Sequence, residues 1–203
     1  MITIMKNILH ISTSPNGQNS FSIRLGNAIA KQLTEVYPES VVAVTDLTEN
    51  PFPHLDTARV KAIRTRTEDL TPEDRLLLER SDEAIKAIME ADTIIISLPL
   101  FNFGIPSVLK TWLDHIVRAG VTFNYTADGP LGLVTGKKLY IALASGGVYS
   151  QGPMQAYDHA VPYLTSVLNF IGITDISVVR AEGTGIPALK DIALEKAMAE
   201  IMV

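Results

Sequence analysis

The stretch Asp92-Thr93-Ile94-Ile95-Ile96-Ser97-Leu98-Pro99-Leu100-Phe101-Asn102-Phe103-Gly104-Ile105-Pro106 holds a strand, a stiff loop and the approach to a helix. Residues 92–98 form a short, almost continuous apolar run rich in β-branched side chains, the pattern of a strand buried on both faces. Pro99 and Pro106 fix φ at either end of the segment that follows, and a helical pattern starts near Ser107. Inside that segment Phe101 and Phe103 flank the carboxamide of Asn102. Backbone N–H groups and one amide on a stiff loop suit the edge of a flat heteroaromatic ring. The same residues also read as two core phenylalanines and a turn-forming asparagine.

The strand–loop–helix step repeats along the chain. Residues 6–12 read as the first strand, 21–36 as an amphipathic helix closed by Tyr37-Pro38, and 41–47 as the second strand. Thr71-Pro72-Glu73-Asp74 combines a capping threonine, proline at the first helical position and an acid three residues after the cap, which predicts a long helix to about Ala91. The strand at 92–98 is then the third. A helix is expected over 106–119, ended by Gly120, with Val108 and Trp112 facing inward. Residues 137–144 are the fourth strand, 157–171 a helix ended by Gly172, 175–181 the fifth strand, and a last helix starts at Ala188. Residues 121–136, centred on Ala127-Asp128-Gly129-Pro130, read as a hairpin-like excursion, and 50–66 as a long connection with a short helix. Strands alternating with helices predict an α/β fold, a doubly wound parallel sheet of order 2-1-3-4-5 with helices on both faces.

Composition narrows the chemistry. A chain of 203 residues fits a single domain, 1–203, with a self-sufficient core. It has no cysteine, so disulfides, thiolate metal sites, iron–sulfur clusters and a cysteine nucleophile are excluded, and redox chemistry requires a bound organic cofactor. Its four histidines have no metal-ligand spacing, so no metal is expected. The net charge of −5, with no basic run longer than Lys137-Lys138, argues against nucleic acid. No apolar run nears the roughly 20 residues of a membrane span and no secretory leader pattern opens the chain, so a cytoplasmic protein with no membrane partner is expected. The 47% hydrophobic content points to further burial between subunits.

In a sheet of this order ligands bind outside the carboxyl ends of the strands, where the winding reverses between strands one and three. Three loops therefore matter. The first, Ser12-Thr13-Ser14-Pro15-Asn16-Gly17-Gln18-Asn19-Ser20-Phe21-Ser22, is uncharged, dense in hydroxyls and amides, and opens into a helix. A helix N-terminus binds phosphate through its free N–H groups and about half a positive charge, with no lysine or arginine required. The second is the loop from Pro99. The third, Ala144-Ser145-Gly146-Gly147-Val148-Tyr149, carries paired glycines that allow close approach of backbone to a ring. A phosphate cradle and two ring-bordering loops fit a flavin mononucleotide; an N-cap and a plain turn are the bland counterparts. Leu143 stands where a serine-hydrolase elbow needs glycine. Gly183-Thr184-Gly185-Ile186-Pro187-Ala188 matches a dinucleotide fingerprint, but no later strand is expected to carry the ribose-binding acid, so it reads as an edge loop with at most a minor role beside the site.

With those loops in view the chain resembles the FMN-dependent NADH-azoreductase and NAD(P)H:quinone oxidoreductase family, a flavodoxin-like group of homodimers. The resemblance rests on Ser-Pro followed by Ser-x-Ser after the first strand, Pro-x-aromatic-Asn-Phe after the third, Gly-Val-Thr-Phe-x-Tyr-x-x-x-Gly-Pro-x-Gly-Leu at 120–133, Thr-Gly-Lys-Lys before the fourth, and Phe-Ile-Gly-Ile at 170–173. It implies that Ser14, Ser20, Phe21 and Ser22 hold the FMN phosphate and ribityl chain. It also implies that Pro99, Leu100, Phe101, Asn102 and Phe103 border the isoalloxazine, and Ala144, Ser145, Gly146 and Gly147 its pyrimidine side. Phe123 and Tyr125 are candidate walls of a substrate cavity, with dimer packing as the competing role. The implied activity is two-electron transfer from NADH or NADPH through non-covalent FMN to a quinone or azo compound by a ping-pong route, with no catalytic side chain. Many members carry tyrosine or tryptophan at the place of Phe101 and arginine at that of Ser145. The rival classes are a flavodoxin-type electron carrier and a hydrolase using a serine near the first strand.

Overall fold

The computed structural model describes residues 5–203. Five parallel strands, β1 (Asn7–Ser12), β2 (Val41–Asp46), β3 (Thr93–Pro99), β6 (Lys138–Ser145) and β7 (Asp175–Glu182), pair in the order β2-β1-β3-β6-β7. This is the expected order once the separate hairpin of β4 (Phe123–Thr126) and β5 (Gly129–Gly132) is left out of the count. The helices are α1 (Phe21–Val36), α2 (Thr57–Arg64), α3 (Pro72–Glu90), α4 (Ser107–Ile116), α5 (Ala160–Ile171), α6 (Pro187–Lys190) and α7 (Ala193–Ala199).

Alternation along the strands divides the core into two layers. Leu9 and Ile11 of β1, Ile94, Ile96 and Leu98 of β3, and Leu139, Ile141 and Leu143 of β6 pack with Ile85 and Ile88 of α3, Trp112 and Ile116 of α4, and Leu164 and Leu168 of α5. The opposite residues, Ile8, Ile95, Tyr140, Ala142 and Val179, pack with Leu25, Ile29 and Leu33 of α1 and Leu194 and Ala197 of α7. Burial on both faces explains why β3 reads as an unbroken apolar run. The two edge strands are less covered, with Val41 and Val44 of β2 and Val178 of β7 exposed.

Boundaries depart from expectation where side chains intervene. The helix expected to reach Ala119 stops at Ile116, because the Thr122 hydroxyl donates to the Ile116 carbonyl at 2.7 Å and accepts from the Arg118 N–H at 2.9 Å. The Arg118 guanidinium, buried there, donates to Ser81 and pairs with Asp82 of α3. Trp112 is buried as expected, and Val108 is partly buried against the same layer. The helix expected from Tyr157 begins at Ala160, since Asp158 accepts from the amides of Ala160 and Val161 at 3.0 and 3.1 Å, and Pro153–Tyr157 form a 3-10 turn instead. The last helix is broken into α6 and α7. The 50–66 connection contains α2, capped by Asp56. Thr71 and Asp74 make the expected reciprocal capping box on α3.

Gly26 sets the height of α1 over the sheet. A Cβ there would collide with the Ser97 hydroxyl and lie 2.5 Å from His10 Nε2. His10 and Ser97 are buried and joined by a 2.7 Å hydrogen bond, and burial pushes the imidazole down to about 4, so His10 is neutral in the folded protein near pH 7. Among the described residues no helix is long and apolar enough to cross a membrane.

Candidate active site

β1, β3 and β6 are neighbours, so the loops leaving their carboxyl ends share one rim of the sheet. The winding reverses between β1 and β3, because β2 lies on one side of β1 and β3 on the other. The loops are tied together there. Thr13 donates its N–H (3.1 Å) and hydroxyl (2.9 Å) to the Ser97 carbonyl, and the Leu100 N–H donates to the Ala144 carbonyl at 2.8 Å.

The first loop supplies a neutral cradle. Ser14, Ser20 and Ser22 are all buried. Ser20 precedes α1 but does not cap it; its hydroxyl bonds instead to that of Ser22 at 3.0 Å. That bond uses one of two hydroxyl protons, leaving the other and the first-turn amides for an acceptor. Ser14 Oγ accepts a long bond from the Asn16 N–H, 3.4 Å, and its own proton also seeks an acceptor. Buried donors at a helix N-terminus fit a phosphate. Phe21 follows at the helix start, its ring 5.9 Å from the Arg24 guanidinium.

The loop after β3 is a tight turn. Phe101 and Gly104 exchange both backbone hydrogen bonds, 3.0 and 2.9 Å, and between them Asn102 (φ 48°) and Phe103 (φ 70°) both adopt positive φ. This is the backbone of a primed turn, whose second central position normally takes glycine. Asparagine tolerates it; phenylalanine does so at a cost of about 1–2 kcal/mol. Phe103 is held by the His159 N–H on its carbonyl, 3.0 Å, and by the rings of Tyr157 and Tyr149 at 5.3 and 6.3 Å. Phe101, Asn102 and Phe103 are exposed, and Pro99 and Leu100 are half-buried beneath them. The Asn102 carboxamide makes no hydrogen bond to another described residue, so it is available to a ligand edge.

The third loop packs on the edge loop at 183–185. Gly147, Ser145 and Gly146 accept backbone bonds from Gly183 (3.0 Å), Thr184 (3.1 Å) and Gly185 (3.0 Å). The dinucleotide-like glycines are thus a buttress for the 145–147 loop, and a Cβ on Gly185 would lie 3.2 Å from the Gly146 carbonyl oxygen. Ser145 is buried, donating its hydroxyl to the Gly147 carbonyl at 2.9 Å, and Ala144 is buried beside it.

Phe123 and Tyr125 touch but differ in burial. Phe123 is only 6% exposed and packs on Phe170 at 4.4 Å, which anchors the hairpin to α5; Tyr125, 75% exposed, stands edge-on to the Phe123 ring at 5.3 Å. The local pattern gives both aromatics the same standing; the hairpin lies close on the end of α5, where Gly132 meets the backbone of Gly172 and Phe123 meets Phe170.

A family described as having the flavodoxin-like fold matches residues 6–203. The FMN-dependent NADH:quinone oxidoreductase of Rhizobium johnstonii is 46% identical over 198 residues, 97% of each chain. This chain belongs to the flavodoxin-like oxidoreductase family. Among solved structures, the azoreductase of Bacillus anthracis str. Sterne superposes on this family member with a TM-score of 0.87 at 31% identity, covering 97% of this chain and 96% of that one. An FMN-dependent NADH-azoreductase of Bacillus anthracis str. Ames Ancestor, solved in complex with FMN, matches with a TM-score of 0.84 at 30% identity, over 96% of this chain and 95% of that one.

Proposed function

We propose that this chain is an FMN-dependent NADH:quinone oxidoreductase, its cofactor seated across the three loops at the ends of β1, β3 and β6. The observation that carries the reading is the pairing of an uncapped, hydroxyl-lined N-terminus of α1 with an exposed primed turn at Asn102 and Phe103, on neighbouring strands of one rim. The first takes a phosphate without a cation; the second offers a carboxamide and aromatic faces to a flat ring. The family and the printed activities of its relatives support the same assignment.

In detail, Ser14, Ser20, Phe21 and Ser22 hold the phosphate and ribityl chain, Pro99 to Phe103 border the ring system, and Ala144, Ser145, Gly146 and Gly147 lie at its pyrimidine side. Bound FMN supplies the two-electron redox chemistry, and the protein supplies position and electrostatics. Ser145 brings a neutral hydroxyl already committed to Gly147, so this chain places no side-chain cation at that position. NADH or NADPH and then a quinone or azo acceptor use the same open face in turn, which makes turnover ping-pong. Tyr125 and Leu131, exposed on the β4–β5 hairpin, give apolar surface for a second copy, so the working form is a homodimer of one flavodoxin-like domain, residues 1–203, acting in the cytoplasm.

The test is an absorbance spectrum of the purified protein with mass spectrometry of the heat-released cofactor, followed by NADH oxidation with menadione and no added protein partner. About one FMN per chain and steady NADH consumption are expected. Predominant FAD, or a yellow protein that turns over only with a protein partner, overturns the reading.

A further inference from the structure

β7 carries Arg180 and Glu182 two residues apart, on one face of the strand that borders the 145–147 loop. Glu182 accepts from the Tyr149 N–H at 2.7 Å, the Ser150 N–H at 2.9 Å and the Ser150 hydroxyl at 2.5 Å. Arg180 donates to Asp158 Oδ2 at 2.5 Å and stands 3.6 Å from Glu182. Asp158 uses its other oxygen to cap α5 through Ala160 and Val161. One ionic cluster therefore grips both ends of the segment from 149 to 158.

The segment returns two rings, Tyr149 and Tyr157, to the strained Phe103 of the turn after β3, with centroids 6.3 and 5.3 Å from it. The cluster is mostly buried, with Asp158 6%, Glu182 12% and Arg180 18% exposed in their side chains. Ion pairs withdrawn from water contribute little net stability, whereas removing one partner is disruptive. Its geometric consequence here is specific: it fixes where two aromatic rings stand beside a third that borders the proposed flavin face.

We propose that the Asp158–Arg180–Glu182 clamp is a positioning device for acceptor choice, holding Tyr149, Tyr157 and Phe103 as a three-ring wall that favours fused-ring over single-ring quinones. The inference rests on the flavin reading of this rim. A fused-ring acceptor extends from the reacting ring onto the wall, while a single-ring one does not reach as much of it. The ratio of kcat/KM for menadione to that for 1,4-benzoquinone therefore reports the wall and cancels any general loss of active enzyme.

The experiment uses the FMN-loaded protein and the variants Glu182→Ala, Glu182→Gln, Ser150→Ala and Phe103→Leu. Loss of the Glu182 carboxylate should lower the ratio about fivefold, the scale of one aromatic contact, with FMN affinity within about twofold of the parent. Glu182→Gln keeps an acceptor oxygen for the Tyr149 and Ser150 amides and should recover part of the ratio. Phe103→Leu should lower the ratio at least as far as Glu182→Ala. An unchanged ratio in Glu182→Ala, or a lowered one with Phe103→Leu unaffected, overturns the proposal, as does a loss confined to FMN affinity. Should Glu182→Ala not fold, Ser150→Ala decides, because it removes one bond at an exposed residue: a ratio reduced by about twofold supports the wall and an unchanged one refutes it. Failure of the flavin reading is separately visible as parent protein that binds no FMN.

Discussion

Replacing Gly26 by alanine tests how α1 is set over the sheet. The added methyl has no free volume: it would overlap the Ser97 hydroxyl and sit 2.5 Å from His10 Nε2. Forced overpacking of this kind costs about 1–3 kcal/mol. Parting the His10–Ser97 pair, now 2.7 Å, leaves a buried polar group unsatisfied at about 1–3 kcal/mol more. The better helix propensity of alanine returns about 1 kcal/mol. The net is a destabilisation of about 1–5 kcal/mol, and its central value of about 3 kcal/mol lowers Tm by about 6–12 °C for a chain of this size. Urea denaturation followed by circular dichroism measures it. The double variant Gly26→Ala with Ser97→Ala should be more stable than the sum of the single effects by about 1 kcal/mol, since removing the hydroxyl makes room for the methyl. A Gly26→Ala protein as stable as the parent, or strictly additive effects, refutes the argument that this contact sets the helix height.

Asn102→Ala should weaken FMN binding by about 1–3 kcal/mol, read by fluorescence titration, because the ring edge loses its carboxamide partner; unchanged affinity returns Asn102 to the role of turn former. Gly132→Ala should unfold the hairpin locally or lower Tm by several degrees, since its Cβ would overlap the backbone of Gly172, and protease sensitivity at 120–136 reports it. His10 titrates at about 4 in the folded protein against the ordinary 6.5, so its contribution is complete above pH 6.5 and is lost as pH falls toward 4. His10→Gln should flatten the decline of the urea midpoint across that window by an amount equivalent to about 3 kcal/mol, and a parallel decline in both proteins excludes it. Initial-rate plots against NADH at several quinone concentrations should be parallel, and anaerobically reduced enzyme freed of nicotinamide should still reduce about one equivalent of quinone per flavin; intersecting lines require a second pocket.

The features legible in the sequence are those whose cause is local. The unbroken apolar run of β3 follows from burial on both faces, and the capping box at Thr71 and Asp74 from satisfying the first helical amides. The strand order is recognisable from alternation together with the family resemblance. Helix ends set by distant or non-helical partners are not legible: nothing in residues 106–119 announces that Thr122 will take the Ile116 carbonyl, and nothing near Tyr157 shows Asp158 shared between α5 and Arg180. In the candidate site, the dense hydroxyls of 12–22 point to a cradle, but not to the Ser20–Ser22 bond that keeps Ser20 from capping α1.

The glycines at 183 and 185 show how one sequence pattern can serve two different backbone contacts. A dinucleotide fingerprint uses glycine because backbone must approach a pyrophosphate closely. Here backbone approaches backbone: Gly183 and Gly185 donate to Gly147 and Gly146, and Gly183 has φ of +77°, which glycine adopts without strain. The local requirement is the same in both cases, so the pattern is the same, and only the partner differs. That partner lies more than thirty residues earlier in the chain, in the loop after the neighbouring strand, so it becomes visible only once the β6–β7 register is known. Register also makes the buttress consequential: Ser145 pairs with Glu182, so the loop proposed to border the ring and the strand end bearing the proposed clamp leave the sheet at the same level. A change at the 183–185 turn therefore reaches both the proposed pyrimidine side of the flavin and the wall built on Tyr149, although neither glycine need touch a ligand.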